Sequence, residues 1–198
     1  MEIIQVSREL AVRSIQEAIV EKGSVLGGGI LKVDSFLNHQ IDPRLIKMAG
    51  NLICDTFKDA EITKVLTVES SGIAPALATA ECMGVPLLFA RKKKPITMKR
   101  YITETAPSHT KGGTVELNVS LEFLGESDRV LIVDDFLASG QTIAALGRLV
   151  QKTGAKLCGF AAVIEKTFEE GRNLLEEFGV PVLGLVRISS LEPLRFED

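Results

Sequence analysis

Val130-Leu131-Ile132-Val133-Asp134-Asp135-Phe136-Leu137-Ala138-Ser139-Gly140-Gln141-Thr142 decides how this chain is read. An unbroken apolar run leads into two adjacent carboxylates, then a loop of small residues, then the start of a helix. The run is apolar throughout rather than alternating, which predicts a strand covered on both faces, as in a parallel sheet. Small residues before a helix N-terminus leave backbone N–H groups open to a phosphate, and the helix dipole adds to the attraction. Ser139 and Thr142 contribute hydroxyl donors. Asp134 and Asp135 cannot bind phosphate directly; they suit sugar hydroxyls, or a metal ion shared with a phosphate. Together these parts describe a pocket for a sugar phosphate. An isolated Asp-Asp pair would read as two solvated acids at a strand end, but the whole string argues for a site. A nucleotide-triphosphatase strand of similar appearance would need a G-x-x-x-x-G-K-[ST] loop, and no glycine here is followed by lysine.

Outward from this string, strands and helices alternate. Residues 8–22 predict a helix, with Leu10, Ile15, Ala18 and Ile19 forming an apolar stripe. Gly27-Gly28-Gly29 breaks the chain before a short strand over 30–33. Asp42-Pro43 is a helix start, because Asp caps free N–H groups and Pro fits the first helical position. Apolar runs at 65–68, 87–90, 157–164 and 182–186 predict further strands. Helices are expected over 73–83, 141–153 and 168–178. The class is α/β, an open doubly wound sheet, in which ligands bind beyond the C-terminal strand ends. The stretch 93–129 shows no periodicity before Val115. A polar insertion of that length predicts a lid or binding loop.

The sequence has 198 residues, enough for a single domain. Its net charge of −3 argues against a broad nucleic-acid surface. Cys54, Cys82 and Cys158 form no C-x-x-C pair, so three reduced cysteines and a cytoplasmic location are expected. His39 and His109 are too few for a protein-built metal cage. No segment reaches the roughly 18 apolar residues of a membrane span, and the N-terminus lacks a signal-peptide core.

Two more stretches carry chemistry. Val68-Glu69-Ser70-Ser71-Gly72-Ile73 again runs from strand to helix through small residues, and Gly72 allows close backbone approach. Arg91, Lys92, Lys93, Lys94, Lys99, Arg100 and Lys111 concentrate positive charge in an acidic chain. Most suit a solvated loop, but Arg91 and Lys92 directly follow a strand. Tyr101 lies within the expected lid.

The 130–142 string resembles the phosphoribosyl pyrophosphate (PRPP) motif of the type I phosphoribosyltransferases. That resemblance implies the family's fold: an open, mainly parallel sheet flanked by helices, with a small hood (about 25–40 and the C-terminal segment) and a flexible lid loop (about 93–120). It implies that Asp134 and Asp135 are the catalytic pair holding the ribose 2- and 3-hydroxyls. Ala138, Ser139, Gly140, Gln141 and Thr142 would cradle the 5-phosphate. Glu69, Ser70, Ser71 and Gly72, with Arg91 and Lys92, would meet the pyrophosphate. Magnesium would arrive bound through PRPP, with no side-chain ligands of its own. A homodimer is implied as well, since a neighbouring subunit's basic residue often reaches the pyrophosphate in this family.

Leu31-Lys32-Val33-Asp34-Ser35-Phe36-Leu37-Asn38-His39-Gln40-Ile41-Asp42-Pro43 and Val163-Ile164-Glu165-Lys166-Thr167-Phe168 resemble segments of the xanthine phosphoribosyltransferases. By that match Leu31, Asn38 and Lys166 would contact xanthine. The chemistry agrees: xanthine presents two exocyclic oxygens, Lys166 has donors only, and the Asn38 amide carries two. Adenine would set its amino group against a donor. The alternatives are another purine base (guanine, hypoxanthine or adenine) or a PRPP-sensing regulator. Residues 1–25 hold a single helix rather than a DNA-binding module.

Overall fold

Alternate residues of the 130–133 run serve opposite sides of one sheet. In the computed structural model, which describes residues 8–107 and 113–197, Leu131 and Val133 belong to one buried cluster, and Val130 and Ile132 to another. The chain runs α1 (Arg8–Lys22), β1 (Ser24–Val25), β2 (Leu31–Lys32), α2 (Pro43–Thr56), β3 (Lys64–Val68), α3 (Ile73–Met83), β4 (Leu87–Ala90), β5 (Tyr101–Pro107), β6 (Thr114–Ser120), β7 (Arg129–Leu137), α4 (Gln141–Lys152), β8 (Lys156–Lys166), α5 (Gly171–Glu176), β9 (Val182–Leu191) and β10 (Leu194–Phe196). A π-type turn spans Asp34–Asn38 and a 3-10 turn Lys58–Ala60.

Six strands form the main sheet in the order β10-β9-β8-β7-β3-β4, parallel except for β10. α1, α2 and α3 close one face; α4, α5 and the β5–β6 hairpin close the other. From β3 the chain steps outward to β4, then returns past β3 to β7 and continues the other way. This reversal opens a crevice at the C-terminal ends of β3 and β7, where an open α/β sheet receives its ligand.

The expected α/β class and the main elements are present, with three differences. β7 extends to Leu137, so both acids lie inside the strand, held there by pairing of Asp134 with Ala162 and Phe136 with Ile164. The helix expected over 168–178 contracts to Gly171–Glu176. The expected lid is in part regular: β5 and β6 pair antiparallel from Tyr101↔Ser120 to Pro107↔Thr114. Ile102, Ala106, Val115, Leu117 and Val119 line the inner face of this hairpin and pack with α4. Lys111 and His109 lie outside the described residues.

One further expectation is corrected. Cys54 of α2 and Cys82 of α3 form a disulfide with Cα atoms 6.1 Å apart, leaving Cys158 free. The two helices pack closely because Gly50 lies against the backbone of Ala78 and Thr79, where a Cβ would collide. That contact sets the two thiols face to face across 28 residues of sequence. No helix among the described residues is long and apolar enough to cross a membrane.

Candidate functional site

The crevice is built from four segments. β7 supplies the carboxylates, the loop before α4 the open amides, the turn after β3 a second small-residue loop, and residues 24–40 a cover from the N-terminal side.

Asp134 and Asp135 are 7% and 5% exposed. Asp134 Oδ1 accepts from the Asp135 N–H at 2.9 Å. Asp135 Oδ2 accepts from Asn38 Nδ2 at 3.0 Å, a bond spanning 97 residues. Burial, then the neighbouring Asp135 charge, push the Asp134 carboxyl well above the usual carboxylate range. The Lys92 charge pulls weakly the other way, which places Lys92 within electrostatic reach of the pair. Two acids held this way, with an amide and, among the described residues, no ion-pair partner, are poised for further donors.

The Ala138–Thr142 loop turns sharply at Gly140, whose φ of 71° favours glycine. A Cβ there would also press on Gly171 Cα at 2.8 Å. The loop is pinned from behind, since Gly171 N–H donates to the Ala138 carbonyl at 3.0 Å. Gly140 provides no side-chain cap to α4, so the first-turn amides face the crevice uncapped by a side chain.

After β3, Gly72 is buried where no side chain fits: a Cβ would collide with both Thr67 Oγ1 and Asp134 Oδ1. The turn 69–72 is therefore drawn directly onto β7. Both oxygens of the Glu69 carboxylate are engaged within the fold. Its Oε1 accepts from the Lys92 N–H at 2.6 Å, and its Oε2 forms an ion pair with Arg91 Nε at 2.8 Å. Arg91 is in turn fixed to the hairpin by paired backbone bonds with Asn118, both at 2.9 Å. Lys94 leans on the Tyr101 ring at 4.4 Å from its centroid, so this pair is occupied with itself. Lys93, Lys99 and Arg100 are exposed.

At the other end, Lys166 Nζ donates to the Gly29 carbonyl at 2.7 Å and to Glu169 Oε1 at 3.3 Å. It lies 5.8 Å from the Phe136 ring centroid. Leu31, two residues beyond Gly29, is buried. The structure thus brings Asn38 onto the acid pair, and Lys166 onto the glycine turn that leads to Leu31. Sequence reasoning missed Phe136, Gly171 and Thr67. Phe136 had a signal, an aromatic directly after the acids; Gly171 and Thr67 act through distant contacts.

The phosphoribosyl transferase domain family matches residues 33–175. A xanthine phosphoribosyltransferase of Listeria innocua serovar 6a is 48% identical over 91% of this chain and 95% of its own length. One from Deinococcus deserti is 48% identical over 91% of this chain and 94% of its own. Among solved structures, an adenine phosphoribosyltransferase from Rhodothermus marinus superposes with a TM-score of 0.75 at 28% identity, covering 90% of this chain and 99% of that one.

Proposed function

The chain belongs to the phosphoribosyltransferase family, and from that membership we propose that it transfers the 5-phosphoribosyl group of PRPP to xanthine, giving xanthosine 5'-phosphate and pyrophosphate. The observation that carries this reading is the hydrogen bond from Asn38 to Asp135. It joins the segment assigned to the base with the acids assigned to the ribose, so base and sugar would meet at one carboxylate.

In the transfer, the bond from the ribose anomeric carbon to pyrophosphate breaks and a bond to a purine nitrogen forms, whose proton is released. The carbon becomes oxocarbenium-like on the way. Asp134 and Asp135 accept hydrogen bonds from the ribose hydroxyls and fix the sugar's orientation. The uncapped amides of α4 and the hydroxyls of Ser139 and Thr142 hold the 5-phosphate. The turn 69–72 offers its backbone to the pyrophosphate, while the Arg91 and Lys92 side chains balance its growing charge. Glu69 acts behind them, holding Arg91 and Lys92 in place.

Magnesium would arrive bound to PRPP, with the Asp134 and Asp135 carboxylates, hard oxygen groups, bordering the crevice it enters. When bound, the ion supplies charge neutralisation for the leaving pyrophosphate.

For the base, Lys166 keeps one of its three donors beyond those given to Gly29 and Glu169, and Phe136 provides an apolar face. A donor at that position favours an exocyclic oxygen of xanthine over the amino group of adenine. The reading includes a homodimer, in which the exposed Lys93, Lys99 and Arg100 are available to a neighbouring copy's pyrophosphate. Turnover with PRPP and magnesium, measured against xanthine, guanine, hypoxanthine and adenine, tests the assignment. The highest kcat/KM is expected with xanthine; preference for adenine, or no turnover with any base, would refute it.

A further inference from the structure

Thr67 is 0% exposed, and its Oγ1 is one of the few buried polar side-chain atoms among the described residues without a hydrogen-bond partner. An unpaired buried hydroxyl costs stability, and a valine would fill the same volume without that cost. The flanking strand residues Leu66 and Val68 are both apolar. A polar atom retained here needs a reason, and the geometry supplies one. Thr67 Oγ1 and Asp134 Oδ1 converge on the α-carbon of Gly72, such that a methyl group there would strike both. The hydroxyl therefore stands at the floor of the crevice between β3 and β7, beside the Asp134 carboxyl.

We propose that Thr67 is a positioning residue for the transfer reaction: its hydroxyl donates a hydrogen bond to the Asp134 carboxylate when the ribose of PRPP is seated. Asp134 Oδ1 already accepts one backbone N–H, from Asp135, and a carboxylate oxygen has room for a second donor. Binding sugar hydroxyls uses Asp134 as an acceptor, and a donor beneath it fixes the orientation of that carboxyl at the moment of binding. Burial and the Asp135 charge already push the Asp134 carboxyl upward, which such a donor opposes. The unpaired hydroxyl is then the counterpart of a bond made in the complex. This inference rests on the reading of Asp134 as a ribose ligand.

The test uses Thr67→Val and Thr67→Ser in the full chain, with steady-state kinetics, PRPP affinity by calorimetry and thermal melting. Thr67→Val is expected to raise KM and Kd for PRPP about tenfold, to leave kcat nearly unchanged because sugar binding is shared by ground and transition states, and to melt no lower than wild type. Thr67→Ser, which keeps the hydroxyl, is expected to restore PRPP affinity to within about twofold of wild type. Thr67→Ala set against Thr67→Ser makes the same comparison if valine is not accepted in the strand. Unchanged PRPP affinity on loss of the hydroxyl, beside an active wild type, would overturn the proposal alone. Absence of PRPP binding by the wild type would overturn the reading of Asp134 together with it.

Discussion

Glu165 and the Asp134–Asp135 pair stand near the C-terminal ends of neighbouring strands, all three buried, yet they are compensated in opposite ways. Glu165 is 1% exposed and gripped by Arg172, whose Nε and Nη2 donate to its two oxygens at 2.6 and 2.7 Å. Arg187 Nε adds a third cationic contact at 3.5 Å. The Asp pair has each other, the Asn38 amide and the distant pull of Lys92. A carboxylate whose charge is answered from within the fold is structural; one whose charge is left unanswered waits for a ligand. Sequence alone presents Asp134-Asp135 and Glu165-Lys166 alike, as acids after an apolar run. Only the packing separates them.

Asp134→Asn breaks the comparison hardest. The variant keeps an oxygen for the Asp135 N–H but loses the carboxylate proposed to accept from the ribose hydroxyls. A fall of about a thousandfold in kcat/KM is expected from turnover with PRPP. The folded-state carboxyl titrates above its unfolded value, so the proton it binds stabilises the fold below the unfolded value, and that contribution is lost as pH rises through the folded one. Asparagine removes this dependence. Thermal melting near pH 8 should therefore show the variant at least as stable as wild type. A variant that unfolds instead would place Asp134 among the structural acids.

Arg172→Leu probes the opposite member. It leaves Glu165 buried with Arg187 alone, at the longer distance. Removing one partner of a buried pair exposes the uncompensated charge of the other, so a loss of about 3 kcal/mol is expected in urea unfolding. If stability hardly changes, the strand end at Glu165 is wetter than its packing indicates, and the contrast with the Asp pair dissolves.

How much of this was legible in the sequence follows from the range of the interactions involved. The 130–142 string, the Asp42-Pro43 helix start and the helix at 73–83 are local patterns, and each lies where its residues place it. Asp42 Oδ1 does accept the Arg44 N–H at 3.0 Å. The β5–β6 pairing was hidden because a charge, Glu104, interrupts the apolar face between Ile102 and Ala106. The disulfide, the seat of Gly171 behind the Ala138–Thr142 loop and the unpaired hydroxyl of Thr67 arise from contacts between elements far apart in the chain. The Asn38–Asp135 bond is the instructive middle case. Family resemblance marked both residues, but nothing in either segment indicates that one donates to the other.

Glu104 offers the finest division of the comparison, because it is a half-way acid. It sits opposite Leu117 on the inner face of the hairpin, with its side chain 12% exposed. Lys152 Nζ of α4 donates to it at 2.8 Å, and Arg148 Nε lies at 3.6 Å. Burial pushes its carboxyl up, but the Lys152 bond, the Thr105 N–H and the two cationic charges outweigh that, and the net shift is downward. A depressed folded-state value means the charged form stabilises the fold above the ordinary glutamate value of 4.5, with the contribution lost as pH falls below it. Both cations are partly open to water, which weakens the pair. Glu104→Gln should therefore cost only about 1 kcal/mol near neutral pH, and wild type and variant should converge in urea unfolding as pH drops below 4.5. The hairpin lies in the stretch expected to form a lid, and Arg91 ties it to the crevice through Asn118. A gap between the two proteins that persists unchanged at acid pH would mean that Glu104 holds the hairpin by shape and not by charge. It would then belong with neither Glu165 nor the Asp pair.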